Sequence, residues 1–150
     1  MIDPAPAATP DRRDYDPGML SPASRVALLL NKRAILDALV AAGLTSVIVR
    51  FTGCGFGSDI DEILAYRRET PVRLPDVIVA YAQAASRGGV PRQRLPLRDS
   101  LVFVLDDIVC DDIVTAIGCG GSLTIHVAER ILQFDARAHA PDEPHICRYY

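Results

Sequence analysis

An α+β fold, in which two helices cover an antiparallel sheet, is what this 150-residue sequence predicts, and three patterns predict it. Apolar residues recur at helical spacing over residues 22–42 and again over 97–110. "TSVIVRF" (45–51) alternates strictly, as a strand with one buried side does. The final pair of runs, "SLTIHVAE" and "RILQFDA", alternates in the same way on either side of a short turn. The resulting order is helix, strand, strand, helix, hairpin.

Residues 1–20 carry Pro4, Pro6, Pro10 and Pro17 among Ala and Asp and offer little to bury, so a disordered arm is expected before a single domain over 21–150. Ser21 and Pro22 form an N-cap and first-turn pair, and Gly43 is a stop signal, which brackets the first helix. Its pairs Leu28/Leu29, Ile35/Leu36 and Leu39/Val40 are expected to face the sheet. The strand 45–51 then presents Val47, Val49 and Phe51 on one face, with Ser46 and Arg50 on the other. "DIDEILAY" reads either as a second strand after a hairpin or as a helix capped by Ser58, with Asp61 in the capping-box position. "DVIVAYA" is a further strand-like run, and "SRGGVPRQRLP" reads as a Gly/Pro/Arg loop.

The second helix, "LRDSLVFVLDDIVC", turns Leu101, Leu105, Ile108 and Val109 inward and Asp99, Asp106, Asp107 and Asp111 outward. At about 100° per residue Asp112 would fall within the apolar arc, so the helix is expected to stop before it.

Sixteen Lys and Arg against nineteen Asp and Glu give a net charge of −3. That balance argues against a general nucleic-acid binder, whose affinity rests on cations neutralising phosphates. Trp is absent and Phe and Tyr make up 6%, a poor supply of base-stacking surfaces. No apolar run approaches the ~20 residues that span a bilayer, and the N-terminus has no hydrophobic signal core, so a cytoplasmic protein without a membrane partner is expected. Cys54, Cys110, Cys119 and Cys147 form no CxxC pair, which leaves reduced thiols as the expectation and neither metal nor cofactor.

"VIVRFTGCGFGSDIDEI" runs a strand into Gly53, Gly55 and Gly57. A dinucleotide-binding turn would want a third glycine where Ser58 stands, and Pro71 comes too soon for the helix of a βαβ unit. A P-loop would need Lys-Ser or Lys-Thr after the glycines. Tight backbone geometry is the expected use of these glycines, with an anion-binding nest as the alternative.

Together with "LPLRDSLVFVLDDIV" and "GSLTIHVAERILQFDARAHAPDEPHICRYY", this segment resembles an uncharacterised family of small bacterial proteins, a domain of unknown function often carried on mobile elements. The likeness spans about residues 25–150 and is strongest in "HVAERILQFDAR". It implies that residues 58–66 are a strand paired with 45–51, which makes the glycine turn a hairpin turn. It also implies acidic residues in both glycine loops, where this chain has Phe56 and about Ile117; the second loop is read as holding Gly120 and Gly121.

The expected function is a non-enzymatic accessory protein that binds another protein, in the manner of a mobile-element inhibitor of a host defence system. Phe56 is the expected exposed anchor. Arg92 and Arg94, in an arginine cluster with Arg87 and Arg98, and Asp99, Asp106 and Asp107 after it, are the expected charged contacts. A homodimer is left open. Two alternatives come from other classes. One is a small hydrolase or nuclease sited at the two glycine loops, where the acids are missing at Phe56 and Ile117; Asp59, Asp61 and Glu62 are the carboxylates that glycoside-type acid chemistry could use. The other is a metal- or anion-binding sensor using the cysteines or the glycine nest; the histidines, His126, His139 and His145, are the bases that a catalytic or metal pairing with a cysteine would draw on.

Overall fold

Pro22 starts the first helix, α1 (Pro22–Ala41), at the position where its missing N–H costs nothing. The computed structural model describes residues 22–52, 59–83, 91–111, 119–138 and 145–150; the expected arm at 1–20 lies outside them. Gly43, at φ +76°, ends α1 in a Schellman motif: the Gly43 N–H donates to the Val40 carbonyl (2.9 Å) and the Leu44 N–H to that of Leu39 (3.0 Å). Leu28, Ile35, Leu36 and Leu39 are buried, but Leu29 (65% exposed) and Val40 (54%) face solvent. The expectation that both members of each apolar pair pack inward fails for these two, because adjacent helical residues diverge by about 100°.

The main sheet has six antiparallel strands in the order β3-β2-β1-β6-β7-β8. Its centre is β1 (Ser46–Thr52), flanked by β2 (Asp59–Arg67) and β6 (Cys119–His126), and β7 (Ile131–Ala138) completes the terminal hairpin. The strand reading of this run is therefore right from Asp59 on, Ser58 lying outside the described residues, and Asp61 is the extra residue where the β1–β2 register shifts between Arg50 and Phe51. Cross-strand rows Ala65–Val47–Ile125–Leu132 and Ile63–Val49–Leu123–Phe134 line the inner face.

Two edge strands extend the sheet beyond the predicted elements. In β3 (Thr70–Val72), Pro71 is tolerated because an edge strand has an unpaired side. Its turn places Arg68 at φ 60°, with the Arg68 N–H bonded to Thr45 Oγ1 (2.8 Å). At the other edge, β8 (His145–Tyr149) pairs with β7.

A second, two-stranded sheet joins β4 (Ile78–Ala82) to β5 (Arg92–Pro96). Part of the expected Gly/Pro/Arg loop is thus a strand, whose pattern is invisible in sequence because only Leu95 in it is even partly buried. The ribbon is pinned to α1 by Asn31, fully buried, whose amide donates to the Ala82 carbonyl (2.8 Å) and accepts from the Ala82 N–H. Helix α2 (Leu97–Asp111) follows directly, burying Leu97, Leu101, Val104, Leu105 and Ile108. It is described as far as Asp111; the expected stop before Asp112 falls on residues outside the described ones. One core joins both helices, the ribbon and the inner face of the sheet.

Candidate functional site

Six large apolar side chains are exposed among the described residues: Val26, Leu29 and Val40 on α1, Val77 and Ile78 at β4, and Phe103 on α2. They lie on the helices and at or just before β4 of the ribbon, and none lies on the described part of the main sheet. Scattered single exposures are ordinary, and these share the layer that covers the sheet.

On α2 the helical repeat sets Asp99, Phe103 and Asp106 within an arc of about 60°, opposite the buried side. Phe103, 41% exposed, rests edge-on against Tyr81 of β4 at 5.7 Å between ring centroids. The buried Tyr81 hydroxyl donates to Asp107 Oδ2 at 2.5 Å. Burial pushes the Tyr81 hydroxyl up from its ordinary value, and its bond to Asp107 adds to this. Burial also raises Asp107, against the pull of the Tyr81 hydrogen bond, and the Asp106 charge adds to the rise. Asp107 is therefore not simply one more outward acid: it anchors the ring pair that supports Phe103, while Asp99 and Asp106 flank it.

Arg92 and Arg94 alternate along β5 and share one face of the ribbon with Ile78 and Ala80, opposite Pro96 and Arg94 respectively. Both arginines are exposed. The outward arc of α1 carries Val26, Leu29, Arg33 and Val40. Beside it, Leu29, Lys32, Arg33, Leu36, Asp37 and Arg130 line a shallow cleft of about 510 Å³, with Arg130 paired to Asp37 at 3.0 Å.

The outer face of the sheet is different in kind. One row runs Glu62–Arg50–Ser122–Asp135–Cys147, with the Arg50–Glu62 ion pair at 2.9 Å. Gln133 ties its neighbours together, from His126 Nε2 (2.7 Å) to Asp135 Oδ2 (3.1 Å). Burial pushes the Cys147 thiol up, which disfavours the nucleophilic thiolate. Tyr149 is pushed up to about 12, first by its hydrogen bond with Cys147. Among the described residues no group of three or more His, Cys, Asp or Glu side chains is arranged to hold a metal ion. No helix among them is long and apolar enough to cross a membrane.

The family match runs over residues 27–139, from α1 through β7, so it takes in the helix layer and five of the six strands of the main sheet. The chain belongs to DUF6878, a family of unknown function. No curated protein and no solved structure matches it. The resemblance read in the sequence is thereby established as membership of an uncharacterised family.

Of the contacts expected in this DUF6878 chain, Asp99, Asp106 and Asp107 gather on α2, while Arg92 and Arg94 move from a loop to a strand. Gly120 and Gly121 belong to β6 and not to a loop. Gly121 is required by proximity: a Cβ there would stand 1.9 Å from the Asp135 carbonyl oxygen. Phe56, Gly53, Gly55 and Gly57 lie outside the described residues. Phe103 was missed because it sits one turn from inward-facing residues in an apolar run, and only the phase of the helix separates it from them.

Proposed function

We propose that this chain is a non-enzymatic accessory protein that acts by binding another protein through its helix layer. The observation that carries the reading is that, among the described residues, the six exposed large apolar side chains lie on α1, on α2 and at or just before the start of β4. Within that layer, Phe103 between Asp99 and Asp106 has the make-up of an interface anchor: an aromatic held by packing from behind, with charges at its rim to steer a basic partner. The mobile-element setting suggested by the family resemblance supports a narrower role, inhibition of a host defence system.

The test is co-purification from the native host with wild-type bait and with Phe103→Ala and Asp99→Lys/Asp106→Lys baits. A stoichiometric partner that the variants lose, at unchanged circular dichroism, supports the reading. A partner retained by both variants contradicts it.

A second reading has one observation in its favour. Thr52, which precedes the first glycine segment, is opposite Gly120, which follows the second, and Asp61 accepts a hydrogen bond from the Thr52 hydroxyl. The two glycine segments thus adjoin neighbouring strand ends near available acids, as a small hydrolase or nuclease would need. Hydrolysis by the isolated chain that is lost in Asp61→Asn would favour it.

A further inference from the structure

The two outward helix stripes differ in chemistry, and they differ in complementary senses. On α2 an aromatic, Phe103, stands between two acids, Asp99 and Asp106. On α1 a cation, Arg33, stands between two apolar residues, Leu29 and Val40. Each stripe spans about 60° of its helix and points away from the core. Both helices join the one core on the inner face of the sheet and pack against each other, so both stripes belong to the helix layer.

We propose that this surface is a homodimer interface, in which α1 of one copy packs on α2 of the other and the reverse, about a two-fold axis between the helices. The inference rests on the helix layer being a protein-binding surface and names one occupant, a second copy of this chain. A two-fold contact must be self-complementary, and the stripes satisfy this: Arg33 meets an acid of α2 while Leu29 or Val40 meets the Phe103 ring. Helices of 20 and 15 residues side by side present roughly 30 by 20 Å, on the order of 600 Å². That approaches the ~800 Å² per partner of a standard interface, so a dimer of moderate affinity is expected.

Sedimentation equilibrium of the full chain provides the test, with variants Arg33→Asp and Asp99→Lys. Wild type should be a reversible dimer. Each variant alone sets like charges against each other twice per dimer and should dissociate at least ~10-fold more readily. An equimolar mixture of the two restores opposite charges at both contacts and should regain affinity to within about threefold of wild type. Leu29→Ser, at an exposed position that leaves folding intact, should also weaken the dimer. A monomeric wild type overturns the proposal, as does a dimer indifferent to all three variants or a mixture no tighter than its components. If wild type is monomeric while Phe103-dependent capture of another protein persists, the dimer fails and the binding reading stands; if neither association is seen, both fail.

Discussion

Replacing Gly121 by Ala is a sharp perturbation of the sheet. The added Cβ would stand 1.9 Å from the Asp135 carbonyl oxygen, 2.9 Å from its carbon and 3.0 Å from Ala136 Cα. Restoring an ordinary separation of about 3.3 Å or more, the lower end of non-bonded carbon–oxygen contact, requires β6 and β7 to part by over 1 Å in the middle of their ladder. The backbone atoms involved cannot rotate aside as a side-chain tip could. The Phe51 and Phe134 rings also stack across this point, 5.7 Å apart and nearly parallel, where Gly121 opposite Phe51 contributes no side chain. Overpacking costs about 1–3 kcal/mol, and a stretched ladder hydrogen bond adds about 1 kcal/mol, so roughly 2–4 kcal/mol in all. For a chain of this size that is a fall in Tm of roughly 4–16 °C. Gly120→Ala is the comparison, since its Cβ would meet the Phe51 carbonyl oxygen at 3.3 Å, a tight contact that a shift of a few tenths of an ångström relieves, and it should lose much less. Differential scanning calorimetry of both variants decides the matter. A Gly121→Ala protein that melts with wild type, or no earlier than Gly120→Ala does, would refute the reasoning.

Other expectations concern the polar contacts between layers. Asn31→Leu removes both bonds to Ala82 and leaves a buried N–H and C=O unpaired, which should cost about 2–4 kcal/mol by urea denaturation. Tyr81→Phe should cost about 1–3 kcal/mol, because it strips the donor from Asp107. The Asp107 carboxyl is raised in the folded chain, so the folded state binds the proton more tightly than the unfolded one. The associated stability is fully present below the ordinary Asp value near ~3.9 and is lost as pH rises through the raised folded value. Wild type should therefore gain on Asp107→Asn as pH falls from 7 toward 4, and a stability difference flat across that range would contradict the assignment. Glu62→Ala, which removes the exposed Arg50 ion pair, should change stability by less than about 1 kcal/mol in the same denaturation assay.

Elements with strong periodicity or clear caps were legible in the sequence. Pro22 and Gly43 bound α1, Val47, Val49 and Phe51 define the buried side of β1, and the terminal hairpin follows from its alternation. Strands β3, β5 and β8 escaped because edge and ribbon strands bury little: "RQRLP" presents nearly every side chain to solvent, and three-residue β3 contains Pro71. The acidic side of α2 was visible in its spacing, but the distinct role of Asp107 was not. Its partner Tyr81 is 26 residues away and comes near only when β4 packs on the helices. The same holds for Asn31 and Ala82, 51 residues apart. Leu29 and Val40 were misplaced because a doublet of apolar residues straddles the edge of a helical face, and sequence does not say which member turns outward.

The central claim, that the helix layer is where this chain meets a protein, is tested most directly by photo-crosslinking in the native host with a benzophenone amino acid at single positions. Position 103 on α2 and position 29 on α1 sample the layer, and position 124 on the outer face of the sheet is the control. Discrete protein adducts from 103 and 29, with none from 124, are the predicted result, whether the captured chain is a second copy or another protein. Adducts from 124 alone would move the binding surface to the opposite face of the sheet and contradict the claim.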